Sequence, residues 1–211
     1  MIKKIYFLVL IMFMSSAASV SMLAQSIKRP ISIEEIEEAI NTPTIKDKDK
    51  KGRNDIANYQ VDVARRLYNE LRVDVDMRRD DEVIKVTIPA DLLFGPNSTS
   101  LLDNSRYNKD LMQFSRLLDS SDLYRMVLVM HHETGSEQYC KTITDRRLQS
   151  IIDWFTLYSR GAKYISAFSM GNSNPILKND SMQNRRHNRR LEIYLVPGTV
   201  MIENAKKGKL K

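Results

Sequence analysis

Leu123-Tyr124-Arg125-Met126-Val127-Leu128-Val129-Met130, followed by a helical pattern over residues 137–159, is the stretch that decides the fold. An apolar run this short and continuous is what a central strand shows when both faces of its sheet are covered. Behind it Ile143, Arg147, Ile151 and Phe155 recur every fourth residue, which sets them on one stripe of a helix. Gly161 offers that helix a C-cap. Residues 164–168 and 191–196 read as two further strands.

Upstream the period changes to two. Val73 and Val75 alternate with Asp74 and Asp76, and Val83-Ile84-Lys85-Val86-Thr87-Ile88 follows an Arg79-Asp80-Asp81 turn, which predicts a hairpin. Pro89 ends the second ladder because it has no amide to donate. Tyr107, Leu111, Phe114 and Leu118 share one face of a helix over residues 105–119. A further helix, capped by Asn54 or Asp55, carries Ile56, Tyr59, Val63, Leu67 and Leu71. Helices alternating with strands predict an α+β fold (an α/β sandwich), a βαβαββ-type mixed sheet packed by helices.

The flanks read differently. Met1-Ile2-Lys3-Lys4, an apolar run from Ile5 to Met14 and a small-residue segment ending at Ala24 match a secretory signal peptide over residues 1–24. An uncleaved anchor is the alternative, since residues 5–24 are about long enough to span a bilayer. With no cysteine at the cleavage site, a lipoprotein anchor is not expected. Residues 25–53 read as a flexible tether, with at most a short amphipathic helix at 33–40 and a solvated charge run at 46–52. Residues 54–72 form the helix leading into a domain at 73–198, and 199–211 read as a basic tail.

The 211 residues carry a formal charge of +7, of which cleavage after Ala24 would remove two. The surplus sits in Arg185, Arg186, Arg189, Arg190 and the lysines from 206 onward, and favours a polyanionic neighbour without saying which. One cysteine, Cys140, excludes an internal disulfide and the Cys-rich zinc modules. His131, His132, Glu133 and Cys140 are close in sequence, but consecutive histidines at a strand end face opposite ways. At most one can join Cys140, so no metal and no cofactor is expected. The run at 185–190 lacks aromatic residues for base stacking, so no nucleic-acid partner is expected. No glycine-framed nucleophile or phosphate-cradling loop is present, which points away from an enzyme.

Three blocks resemble the OmpA C-terminal family, which includes the peptidoglycan-associated lipoproteins and the flagellar stator protein MotB. Ile88-Pro89-Ala90-Asp91-Leu92-Leu93-Phe94 is similar to its "LPAdlLF" segment. Gly135-Ser136-Glu137-Gln138-Tyr139 with Ile143-Thr144-Asp145-Arg146-Arg147 is similar to "G-x-x-x-Y-N-x-x-L-S-x-x-R-A". Gly171-Asn172-Ser173-Asn174-Pro175 with Asn188-Arg189-Arg190-Leu191-Glu192-Ile193 is similar to "G-x-S-x-P" and "N-R-R-V-E-I". The resemblance covers residues 73–197. It implies a periplasmic or outer-membrane-associated module that binds the diaminopimelate of the peptidoglycan stem peptide, and a possible link to another envelope protein.

That ligand is held in the family by an Asp in "T-D-x-x-G", by the Arg of "R-A" and by polar groups including the Asn of "Y-N". Here the Arg falls on Arg147, while the Asp falls on His132, its preceding Thr on His131, the Asn on Cys140 and the Ala on Leu148. The resemblance therefore implies a ligand set of Arg147, His132, Glu133, Cys140, Asn188 and Arg189, with Glu133 the nearest replacement acid. Independently of any family, a guanidinium on an apolar stripe requires a partner, because desolvating it alone costs several kcal/mol. An internal carboxylate, Glu133 or Asp145, and an external one both satisfy that requirement.

Overall fold

A computed structural model describes residues 32–46, 48–103, 105–120 and 122–210, of 105–108 the backbone only. The expected signal segment and the start of the expected tether lie outside these residues. A five-stranded sheet has the order β1-β2-β5-β3-β4, with β1 Asp74–Arg78, β2 Val83–Pro89, β3 Tyr124–His131, β4 Ile165–Gly171 and β5 Arg190–Pro197. Only β3 and β4 are parallel; every other pairing is antiparallel. From β2 onward the chain departs from the expected βαβαββ order in one place, where a short helix over Met182–Asn188 stands between the last two strands, and β1 adds an edge through the hairpin. The apolar run at 123–130 lies between β5 and β4, inside the sheet, as its composition requires.

The helices are α1 Ile33–Asn41, α2 Lys50–Leu71, α3 Ser105–Leu118, α4 Glu137–Tyr158, α5 Met182–Asn188 and α6 Thr199–Lys206. Cross-strand pairing aligns Val86, Ile193 and Leu128 on one sheet face, and Lys85, Tyr194 and Val127 on the other. Tyr124 and Met126 share the first face with Leu128, and there the Tyr124 hydroxyl donates to Gln60 Oε1 of α2 at 3.0 Å. Gln60 itself donates to the Glu82 carbonyl, so this buried polar group is satisfied at both ends.

The second face is the surprise. Ile36 and Ile40 of α1 pack with Val83, Val127, Val129, Met170, Tyr194 and Val196. The segment expected to be a flexible tether therefore contributes a helix to the core. Ser32 caps it by accepting from Glu35 N–H at 3.2 Å, and Arg79 donates to the Ile40 carbonyl at 3.0 Å. Ile40→Ala is expected to cost about 2–4 kcal/mol in urea unfolding, the ordinary range for a buried isoleucine. A loss below about 0.5 kcal/mol would show that α1 is not part of the cooperative unit.

Three boundaries also differ from expectation. α2 begins at Lys50, not after Asn54 or Asp55, because Asp49 accepts from Gly52 N–H at 2.9 Å. Its buried stripe extends back through Gly52, which side-chain hydrophobicity cannot register. Residues 199–206 form α6, with Met201, Ile202 and Ala205 buried, rather than a basic tail. Gly161 does not cap α4, which ends at Tyr158 with Ser159 as the cap. Instead, a Cβ at Gly161 would lie 2.1 Å from the Leu118 carbonyl oxygen, so glycine is needed for close approach to α3. Among the described residues no helix is long and apolar enough to cross a membrane.

Candidate functional site

Arg147 sits on the buried stripe of α4 with Ile143, Ile151 and Phe155, and is only 4% exposed. Its Nε donates to the Ser98 carbonyl at 2.9 Å, and its guanidinium carbon lies 5.0 Å from the centre of the Phe94 ring. An isolated bridge between Phe94 and Leu101 closes the intervening loop. α4 grips that loop at three places: Tyr139 Oη donates to Asn97 Oδ1, Arg147 to Ser98, and Ser150 Oγ to the Thr99 carbonyl.

Neither internal carboxylate considered for Arg147 reaches it. Asp145 is engaged by Lys141 one turn back. Glu133 is paired with Arg189 and, at 3.3 Å, with Arg185. Among the described residues no acid pairs with Arg147. Burial lowers the guanidinium's hold on its proton and Arg189 adds to this, yet arginine stays charged in proteins. The cation is therefore desolvated and lacks a counter-charge among the described residues.

His132 and Cys140 stand beside it. The backbone N–H of His132 donates to the Gly171 carbonyl at 2.6 Å, across a register shift at the end of the β3–β4 ladder. His132 Nδ1 is 3.6 Å from Cys140 Sγ, and its ring meets Tyr139 edge-on at 5.7 Å. Burial, then Arg147, lowers the His132 pKa, so its imidazole is neutral near pH 7. Burial raises the Cys140 pKa, which keeps a thiol with no exposed surface protonated. Gly135 at φ 152° and Gly171 at φ 52° let both flanking loops approach the N-terminal turns of α4, where an added Cβ would press on Cys140 or Lys141.

Asn188, expected among the ligand residues, has its carboxamide bonded within the protein. Its Oδ1 accepts from Ile176 and Leu177 N–H, and its Nδ2 donates to the Leu177 carbonyl and to Asn179 Oδ1. With these four bonds the carboxamide clamps the 176–179 loop and has nothing left to offer. Arg189 is committed to Glu133. The 185–190 run contains the last turn of α5, whose N-cap is Ser181, and the first residue of β5.

A second charged cluster escaped the sequence reading. Glu192 on β5 contacts Arg190 Nε at 2.9 Å, Lys85 Nζ at 3.0 Å, Tyr194 Oη at 2.8 Å and His131 Nε2 at 3.6 Å. Burial opposes the charge on Glu192, but its cationic and hydrogen-bonding neighbours prevail and hold the carboxyl well below its usual range. Burial lowers the His131 pKa, so Arg190 and Lys85 carry the pairing. The available signal was one opposite charge inside each of two apolar strands: Lys85 in Val-Ile-Lys-Val and Glu192 in Leu-Glu-Ile. His131 and His132 leave β3 on opposite faces, as expected; the first meets Glu192 and the second Cys140.

No protein-family model matches the chain. Over 95 residues, 44% of the chain, it is 33% identical to Outer membrane protein A of Klebsiella aerogenes and 34% identical to that of Escherichia fergusonii. It spans 27% and 39% of the length of these two relatives. Among solved structures, a putative MotB like protein from Desulfovibrio vulgaris superposes with a TM-score of 0.53 at 20% identity, over 67% of this chain and 98% of that one. The cell wall anchor of the T6SS from Pseudomonas aeruginosa gives 0.51 at 23% identity, over 67% and 96%. Joined to the mixed sheet and the helix order described above, these likenesses show a domain with the fold of the MotB like protein and the T6SS cell wall anchor, and with sequence similarity to Outer membrane protein A over part of its length.

Proposed function

We propose that this is a non-enzymatic, exported envelope module that docks on peptidoglycan, with Arg147 receiving a carboxylate of the diaminopimelate stem peptide. One observation carries the reading: Arg147 is buried, charged and without an acidic partner among the described residues. A guanidinium binds a carboxylate through two parallel hydrogen bonds, and desolvation strengthens them. The OmpA-like fold and the likeness to a cell wall anchor support the same direction.

Arg147→Met tests the physical premise. Because no carboxylate depends on Arg147, the substitution is expected to leave unfolding stability unchanged or to raise it by about 1–2 kcal/mol, as when a buried charge gives way to a well-packed apolar side chain. A loss of 3 kcal/mol or more, the usual ~3–5 kcal/mol for breaking a buried pair, would reveal an internal partner.

A second reading is favoured by the contact between His132 and Cys140. These two residues fill the positions where the family has its ligand-binding Asp and Asn. A domain so altered serves equally as an adaptor or assembly subunit for another envelope protein. Co-sedimentation with purified sacculi separates the two. A wall-docking domain enters the pellet; an adaptor stays in the supernatant and is recovered with a protein partner from solubilised envelopes.

A further inference from the structure

We infer that the Arg147 site selects a carboxylate with no ammonium group beside it; this rests on the wall-docking reading and narrows its ligand. Around Arg147 positive charge outweighs negative: the Arg189 guanidinium acts on it, and among the described residues no acid pairs with it. Glu133 is already shared between Arg185 and Arg189, so its charge is spent inside the protein. The next acids are spoken for as well: Asp145 is bound by Lys141, and Asp91 by Arg186 at 2.7 Å. His132 is neutral and can offer at most one weak acceptor.

An anionic group entering here meets a surplus of positive charge in a desolvated setting, whereas an ammonium meets repulsion from Arg147 and Arg189. The one opening for a cation is Glu133 Oε2, which is enclosed and lies 3.3 Å from Arg185 Nε without forming a hydrogen bond. An ammonium taking that oxygen would have to displace Arg185 from the only carboxylate it pairs with among the described residues. The arrangement thus fits a stem peptide whose amino group is acylated or cross-linked, read through its carboxylate alone.

The full chain titrated calorimetrically with meso-diaminopimelate and with its di-N-acetyl derivative tests this. The diacetylated compound is expected to bind as tightly as the free amino acid or more tightly, and Arg147→Ala to weaken it by at least about tenfold, the worth of one charged hydrogen bond. Glu133→Gln, which frees Arg185 and Arg189, is expected to tighten the diacetylated ligand further. If the free amino acid binds tenfold or more tightly than its diacetylated form, or if Glu133→Gln weakens the latter, the inference fails while docking on the wall stands. If neither compound binds, both fail.

Discussion

Glu192→Ala is expected to lower the stability of the domain by about 3–5 kcal/mol, the cost of removing one partner from a buried ion pair. Lys85 and Arg190 would be left facing each other across β2 and β5 with no counter-charge, and Arg190 is only 2% exposed. Tyr194 would lose the acceptor for its hydroxyl. Glu192→Gln keeps the shape and is expected to cost less, since the amide oxygen still accepts from one cation. Urea denaturation followed by tryptophan fluorescence measures both, and a cost below about 1 kcal/mol for the alanine variant would mean that water replaces the carboxylate.

The same residue sets a pH response. Its carboxyl is held below its ordinary value of 4.5, so the unfolded chain binds the proton more readily than the folded one. The stabilisation is therefore complete above pH 4.5 and is lost progressively as the pH falls from there toward the depressed folded value. His131 and His132, both lowered from 6.5, act in the same sense: stability begins to fall once the pH drops below 6.5. The wild-type chain should thus weaken in two stages on acidification, and Glu192→Gln should remove the lower stage while leaving the upper one.

The second large effect is expected at Gly161. An alanine Cβ there would stand 2.1 Å from the Leu118 carbonyl oxygen and 2.6 Å from its carbon. Both atoms are backbone, so no rotamer change relieves the clash; the turn after α4 must move away from the end of α3. Gly161→Ala is expected to cost about 3 kcal/mol or more, which for a chain of this size lowers Tm by roughly 6–12 °C. A melt within about 1 °C of wild type would show that the turn opens freely.

The sheet was legible because its signals are local and redundant. The apolar run at 124–130, the alternation across the hairpin and the four-residue stripe of α4 each report burial directly through side-chain chemistry. The burial of α1, whose short helix was legible at 33–40, and the first turn of α2 and all of α6 were hidden for a common reason. Their buried positions, Ile36 and Ile40, Gly52, Met201 and Ile202, are few and stand beside charged runs such as residues 46–51 and the lysines from 206 onward, which dominated the reading. The core they join comes from strands far away in sequence.

For the site, spacing alone found Arg147 and its need for a partner. It could not tell an internal from an external acid, because that depends on where Glu133 and Asp145 point. Asn188 looked like a ligand residue and became a loop clamp, since the 176–179 backbone that fills its bonds has no sequence signature. Glu192 passed unnoticed because a lone acid in a strand reads as the solvent-facing half of an alternating pattern.

The proposed role of Arg147 requires its guanidinium, inside the domain, to receive a counter-charge from the cell wall. Sedimentation isotherms on purified sacculi for wild type, Arg147→Lys and Arg147→Ala, all confirmed folded by thermal melting, measure this directly. Wild type should bind, and both variants should bind at least about tenfold more weakly, lysine included, because an ammonium cannot reproduce the two parallel bonds of the guanidinium fork. Equal binding by a folded Arg147→Ala, or no binding by wild type, would contradict it.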